Sequence, residues 1–353
     1  MTTPLLEVDD LRVTFRTDDG DVRAVQGLSF TVAEGETLAV VGESGSGKTV
    51  AALAIMRLLP RTARVEGTIR FRGTSLLDLD EDGMRDLQGD DLAMIFQDPM
   101  TALNPVFTVG DQIVEAIRTH RDVTESAARA RATELLDLVG IPEPKQRIDN
   151  YPHEFSGGMR QRAMIAMGIA NEPKLLIADE PTTALDVTVQ AQVMEVVRTV
   201  QEATGTAVML VTHDLGLVAG TADRIQVMYG GRLFEAGPTD TVFYGSRNPY
   251  TLGLMASIPS AVGRTARRLE PIPGSPPSLI ALPEGCAFSP RCAFATEACR
   301  DEPELRVVDA ASGHATRCHR AEELPDLVAA RATATAGSEG GAAEPGAAGD
   351  GAA

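Results

Sequence analysis

Residues Gly42-Glu-Ser-Gly-Ser-Gly-Lys48-Thr49 fit the spacing G-x-x-x-x-G-K-[ST] and follow directly on an apolar run, Leu38-Ala-Val-Val41. The run reads as a buried strand and Val50 to Leu59 as the helix after it. Glycines at these positions let the chain wrap until several backbone N–H groups face one point, and the helix N-terminus adds positive potential there. The loop is thereby shaped for phosphate. Gly42, Glu43, Ser44, Gly45, Ser46 and Gly47 form its backbone, Lys48 reaches the terminal phosphates, and the Thr49 hydroxyl is placed to hold magnesium. A tight packing turn would need the glycines but not the Lys-Thr pair. The stretch therefore predicts binding of a nucleoside triphosphate, with ATP and Mg2+ as the expected ligands.

Around the loop, further apolar runs stand at Leu175 to Ala178 and Ala207 to Val211, and Leu11-Arg-Val-Thr-Phe15 alternates like a strand with one exposed face. Helical patterns separate them, so the expected fold is a layered α/β core of the P-loop NTPase type with parallel strands, its ligands at the strand C-terminal ends. Between about Pro99 and Pro173 strand signals vanish. There Ala128, Ala132, Leu135, Leu136 and Val139 share one helix face, which Gly140 and Pro142 terminate. This predicts a helical insertion over about 99–173 within a domain covering 1–260. Past about Ser260 the character changes: Pro271-Ile-Pro-Gly-Ser-Pro-Pro277 is stiff and extended, and all four cysteines follow it. A small cysteine-rich extension is expected over 261–328, then a disordered tail over 329–353 that has almost no large apolar residue to bury.

The chain has 353 residues, 43% of them apolar, which supports a sizeable core. Lys and Arg number 32 against 50 Asp and Glu, a net charge of -18 that opposes broad attraction to nucleic acid or anionic lipid. Trp is absent and aromatics are 4% of residues, so stacking platforms for single-stranded nucleic acid are scarce. No apolar run approaches the roughly 18 residues of a membrane span, and the acidic start from Glu7 to Asp10 lacks a signal-peptide pattern. A cytoplasmic location follows as the simplest expectation, with any membrane contact made through protein partners.

Leu175-Leu-Ile-Ala-Asp179-Glu180 is an apolar strand ending in two carboxylates, one suited to coordinate magnesium and the other to polarise an attacking water. Asp179 is the metal candidate and Glu180 the base. Phe155-Ser156-Gly157-Gly158-Met159 precedes a helical run, so its free N–H groups are suited to a second phosphate contact. Thr212-His213-Asp214 ends a further strand.

In this order the motifs resemble the ATP-binding cassette ATPases, over residues 5 to about 325. The resemblance implies roles for single residues. Gln97, in Phe96-Gln-Asp-Pro99, is the glutamine that senses the γ-phosphate and touches the metal. Ser156, Gly157 and Gly158 form the signature, with Phe155 and Met159 where Leu and Gln are usual. Ala184-Leu185-Asp186 is the dimer-contact loop, and His213 the switch histidine beside Glu180. Phe15 falls where an adenine-stacking aromatic is placed, although its alternation with Leu11 and Val13 suits a core residue equally. Two cassettes are implied to meet head to tail, so that Ser156 serves the partner's nucleotide and hydrolysis releases the pair.

Met100-Thr-Ala-Leu-Asn104-Pro105, Tyr151-Pro-His-Glu154 and Asp186-Val-Thr-Val-Gln190-Ala-Gln192 are similar to the peptide-importing branch, of the oligopeptide and dipeptide D-subunit type. Pro271 to Pro277 with Gly285-Cys286-Ala-Phe-Ser-Pro290-Arg291-Cys292 matches that branch's C-terminal extension. The resemblance implies two integral-membrane permease subunits, a homologous second ATPase, an extracytoplasmic peptide-binding protein acting indirectly, and residence at the cytoplasmic face of the cell (inner) membrane. Nickel importers share much of this pattern. Cys286, Cys292, Cys299 and Cys318 are spaced C-x5-C-x6-C-x18-C, and clustered thiols in a reducing compartment point to a shared ligand. Iron–sulfur and tetrahedral zinc both suit four thiolates, with His314 and His319 available to a mixed zinc site. Similarity to the importer extension implies a [4Fe-4S] cluster.

Two other functional classes are compatible with a cassette: a soluble ATPase of DNA repair or translation, and an iron or redox sensor. The first usually brings tandem cassettes, a long coiled coil or a basic face. This chain has one cassette, no long heptad run and an acidic balance.

Overall fold

Alternation in the first strand is interrupted, and the interruption shapes the first sheet. In the computed structural model, which describes residues 4–183, 185–257 and 272–330, β1 (Leu6–Thr17) buries Leu6, Val8, Leu11 and Val13. Strict alternation would turn Leu11 outward; a bulge between Val8 and Leu11, with Asp10 at φ 47, restores it to the core. β1 pairs antiparallel with β2 (Gly20–Val32) and β4 (Ala63–Phe71), and the short β5 (Thr74–Ser75) completes a sheet of order β2-β1-β4-β5.

The second sheet contains the apolar runs seen in the sequence. β3 (Thr37–Val41), β7 (Leu175–Asp179) and β8 (Ala207–Thr212) are buried at every residue, as strands covered on both faces must be. With β6 (Leu92–Ile95) and β9 (Arg224–Tyr229) they form the parallel array β9-β3-β8-β7-β6. α1 (Lys48–Ile55) follows β3, α2 (Glu81–Leu87) precedes β6, α8 (Val187–Thr204) lies between β7 and β8, and α9 (Leu215–Val218) and α10 (Thr239–Gly245) come after β8. The layered parallel α/β core expected from the sequence is therefore present.

Between β6 and β7 the chain forms only helices and turns: α3 (Pro99–Ala102), α4 (Val109–His120), α5 (Glu125–Leu138), α6 (Pro144–Arg147) and α7 (Gly157–Gly168). Thr108, Thr124 and Ser156 cap α4, α5 and α7 by accepting from backbone N–H groups three residues on, which sets where each helix starts. Ala128, Ala132, Leu135, Leu136 and Val139 are all buried. They join Ile113, Ile165, Val193, Val197 and Leu210 in one apolar cluster, so these helices share a core with the sheet.

The C-terminal residues are woven into the same sheet. β10 (Arg232–Pro238) runs antiparallel to β9 and would leave an open edge; β12 (His314–Thr316) pairs with it and β11 (Arg306–Asp309) with β12. An edge strand's unpaired N–H and C=O groups are thereby satisfied within the chain. Phe288 packs with ring centroids 5.4 Å from Tyr229 and 5.2 Å from Tyr250. Ala184, the 260/261 junction, Pro271 and the tail from 331 onward lie outside the described residues, and residues 324–330 are helical. Among the described residues no helix is long and apolar enough to cross a membrane.

Asn248, 1% exposed, secures this seam: its Nδ2 donates to Phe234 O at 3.0 Å and lies 3.2 Å from Thr316 Oγ1. Its Oδ1 caps α11 (Pro249–Ala256) by accepting from Tyr250 N–H at 3.0 Å. Asn248→Ala should cost about 2–3 kcal/mol of stability, since buried backbone and hydroxyl groups lose partners together with a helix cap. Urea denaturation of the full chain measures the loss, and limited proteolysis should then cut first within 272–330.

Candidate active site

Gly42 and Gly47 are demanded by close backbone approach. A Cβ on Gly42 would stand 2.2 Å from Met228 O, and one on Gly47, at φ 100, 2.3 Å from Ala24 O. Only glycine lets the loop pass between these carbonyls. Lys48 begins α1 and is 4% exposed. Its ammonium donates to Gly42 O at 2.8 Å and Glu43 O at 3.1 Å and lies 3.9 Å from Glu180 Oε1. Burial pushes its pKa down, and the charges of Glu180, Asp179 and Glu43 oppose that shift.

Asp179 ends β7, and its Oδ1 accepts from the Thr49 hydroxyl at 3.0 Å. Burial holds its carboxyl above the usual range, partly offset by that hydrogen bond. Strand alternation would send the next side chain to the opposite face. Glu180 instead adopts φ 46, and this left-handed turn brings both carboxylates to one site. Its Oε2 accepts from Thr183 Oγ1 at 2.8 Å and Gln97 Nε2 at 3.2 Å, and lies 3.2 Å from His213 Nδ1. Gln97 and His213 come from the ends of β6 and β8, so the group gathers at the carboxyl edge of the parallel strands.

A cavity of about 760 Å³ opens over this group, lined by Glu43 to Val50, Gln97, Glu180 and His213. Ala24 from β2 borders it, as do Leu254, Ser257, Ile272, Pro276 and Leu279, which sequence reading did not find. For Ile272 and Pro276 the only signal was the proline-rich stretch. Phe15 is half-buried against the first sheet's core and does not line the cavity. Ser156, Gly157 and Gly158 also lie away from it; Ser156 is exposed and caps α7. The Asp179 carboxylate and Thr49 hydroxyl suit magnesium, a hard cation that takes one or two carboxylates and completes its shell with phosphate oxygens and water.

Cys286, Cys292, Cys299 and Cys318 border one small cavity with His319, and none is in a disulfide. Burial pushes the Cys292 and Cys318 thiols up to about 11 and raises Cys286 as well. Among the described residues no three Cys, His, Asp or Glu side chains stand close enough to hold a metal ion. His314 is committed elsewhere, with Nε2 2.9 Å from the buried Glu235 Oε1.

The ABC transporter family matches residues 25–183, and the family described as "Oligopeptide/dipeptide transporter, C-terminal region" matches 234–299. The chain belongs to the ABC transporter ATP-binding family. Within it, the chain is 51% identical over 295 residues to the oligopeptide transport ATP-binding protein OppD of Bacillus subtilis, covering 83% of this chain and 82% of that one. The OppD protein of Salmonella typhimurium is 50% identical over 303 residues, covering 86% of this chain and 90% of that one. That of Mycobacterium tuberculosis is 53% identical over 322 residues, 91% of this chain, which spans about half of that protein at 52%. Among solved structures, the dimeric ATP-binding cassette MJ0796 bound to ADP and Pi is similar at 26% identity and a TM-score of 0.60, covering 66% of this chain and 98% of that one.

Lys48→Ala should weaken nucleotide binding at least about tenfold, because the only buried ammonium at the phosphate end of the cavity among the described residues is lost. Equilibrium titration with a fluorescent ATP analogue checks this.

Proposed function

We propose that this chain is the ATP-hydrolysing subunit of a membrane importer of dipeptides and oligopeptides, working as a pair with a second, homologous cassette. The observation that carries the reading is the Glu180 carboxylate, held by Thr183 and Gln97 and beside His213, over a phosphate loop in a chain that also matches the oligopeptide/dipeptide C-terminal region. The nickel-importer alternative shares the site, but the similar proteins named above are oligopeptide transport subunits. A role on nucleic acid is disfavoured by the net charge of -18.

The chemistry follows from the residues. Loop N–H groups and the Lys48 ammonium neutralise the triphosphate, Lys48 exchanging its contacts with the Gly42 and Glu43 carbonyls for phosphate oxygens. Thr49 and Asp179, with Gln97 at the edge, would hold Mg2+, which supplies charge neutralisation on the β- and γ-phosphates. Glu180 accepts a proton from the attacking water as the new P–O bond forms and the bond to the bridging oxygen breaks, giving ADP and phosphate. His213 and Gln97 orient the Glu180 carboxylate. Ser156 and Gly157, exposed, and Gly158, partly exposed, are available to the second cassette's nucleotide, and Phe15 is retained as the candidate adenine contact. ATP at the seam then draws the subunits together, and hydrolysis releases them.

In this reading the helices of 99–173 dock on two permease subunits at the cytoplasmic face of the inner membrane, and a peptide-binding protein delivers cargo from outside. For the cysteines the reading retains a [4Fe-4S] cluster. Each iron takes one thiolate, so the ligands need to border a common cavity without converging on one ion. Anaerobically purified protein should carry about four irons and four sulfides per chain, by this cluster's stoichiometry; iron-free protein with one zinc would reverse the assignment.

Glu180→Gln should retain ATP-dependent dimerisation while ATP turnover in the reconstituted transporter falls at least about a hundredfold, because only proton acceptance is lost. Phosphate release with and without peptide-loaded binding protein checks this, and turnover at the wild-type rate would remove Glu180 from its role.

A further inference from the structure

Arg291 lies in the turn Ser289–Arg291 between two of the cysteines, yet its side chain reaches the phosphate loop. Its Nη1 donates to Glu43 Oε2 at 2.6 Å and its Nη2 to Glu43 Oε1 at 2.9 Å, a bidentate pair joining residues 248 apart in sequence. The remaining donors are also used: Nε to Pro273 O at 2.8 Å, Nη1 to Tyr229 Oη at 3.2 Å and Nη2 to Gly274 O at 3.3 Å. Arg291 is 8% exposed and lies over the Tyr229 and Phe288 rings at 5.8 and 5.9 Å.

Glu43 is the first residue after Gly42, a position that the phosphate-loop spacing leaves open to any side chain. Here it is fixed at three points. Its N–H donates to Tyr250 Oη at 2.8 Å, its carbonyl accepts from Lys48 at 3.1 Å, and its carboxylate holds Arg291. The first and third anchors come from outside the loop, and the carboxylate's position depends on the C-terminal extension. Ile272, Pro276 and Leu279, on either side of the carbonyls that Arg291 binds, line the nucleotide cavity themselves.

We propose that Arg291 is a positioning residue for the nucleotide site: through Glu43 it presets the phosphate loop in its binding-competent shape and makes ATP affinity depend on the folded cysteine-bearing turn. The proposal rests on the ATP reading above. A loop released from this anchor occupies the competent shape for only part of the time, and apparent affinity falls by that fraction. Arg291 touches no reacting atom, so its loss acts on nucleotide affinity more than on the hydrolytic step.

The test is a double-mutant cycle in the full-length chain with Arg291→Gln and Glu43→Gln, read by equilibrium titration with a fluorescent ATP analogue and by thermal melting of the same samples. Each single variant should bind nucleotide about tenfold more weakly, matching a loop competent about a tenth of the time. The double variant should bind no more weakly than the weaker single, and Arg291→Lys should recover part of the loss. Wild-type affinity in Glu43→Gln, losses that multiply in the double variant, or a lowered melting temperature at unchanged affinity would each overturn the positioning role. Absence of nucleotide binding by the wild-type chain would instead overturn the ATP reading, and this inference with it.

Discussion

The active site depends on a backbone contact that tolerates no side chain. The phosphate loop is pressed between the Met228 carbonyl, against Gly42, and the Ala24 carbonyl, against Gly47. Gly231, in the turn between β9 and β10, approaches the same Ala24 carbonyl; its N–H donates to Ser46 O at 3.1 Å and its carbonyl accepts from Gln26 at 2.8 Å. Three chain segments distant in sequence thus meet largely through main chain, with the Gln26 side chain adding a bond from Nε2 to Gly230 O at 3.0 Å. Buried polar backbone must be satisfied wherever it meets, and these reciprocal hydrogen bonds fix the antiparallel sheet against the loop. The loop's cradle is therefore a consequence of how the two sheets dock.

The charges brought into this cradle satisfy one another. Lys48 occupies the carbonyls of Gly42 and Glu43, and Glu180 gathers hydrogen bonds from Thr183 and Gln97. A buried ammonium or carboxylate without such partners would be costly. The same arrangement leaves these groups within reach of phosphate and water. Ser46 Oγ is buried without a hydrogen-bond partner, a local polar deficit in the loop itself. Glu180 adds backbone cost at φ 46, in a region an L-residue occupies only when its surroundings impose it; here its N–H, bonded to Val211 O at 2.8 Å, holds the turn against β8.

Much of this was legible because it is local. Gly42 to Thr49, Asp179-Glu180 and His213 each follow an apolar strand, and strand ends of a parallel sheet converge in space. The buried face of α5 could likewise be read from Ala128, Ala132, Leu135, Leu136 and Val139. Less visible were features set by long-range geometry. The bulge at Asp10 lies just before the alternating stretch Leu11 to Phe15, and nothing in that stretch announces it. β11 and β12 are short and partly polar, so nothing in their pattern announces that they extend the main sheet. Cysteine spacing suggested a shared ligand, with His314 available to it, but His314 is drawn off by Glu235, a pairing between residues 79 apart.

The extension is better understood as part of the cassette than as an appendage. Its strands occupy the β10 edge, its Phe288 completes an aromatic cluster with Tyr229 and Tyr250, and its Arg291 enters that cluster to reach Glu43. Arg291 is buried, Glu43 is partly exposed, and a bidentate pair joins them, so displacement of one is felt by the other. The cysteines flank this link, Cys286 and Cys292 packing against the same aromatic cluster. One side chain, that of Arg291, separates the cysteine-bearing turn from the phosphate loop.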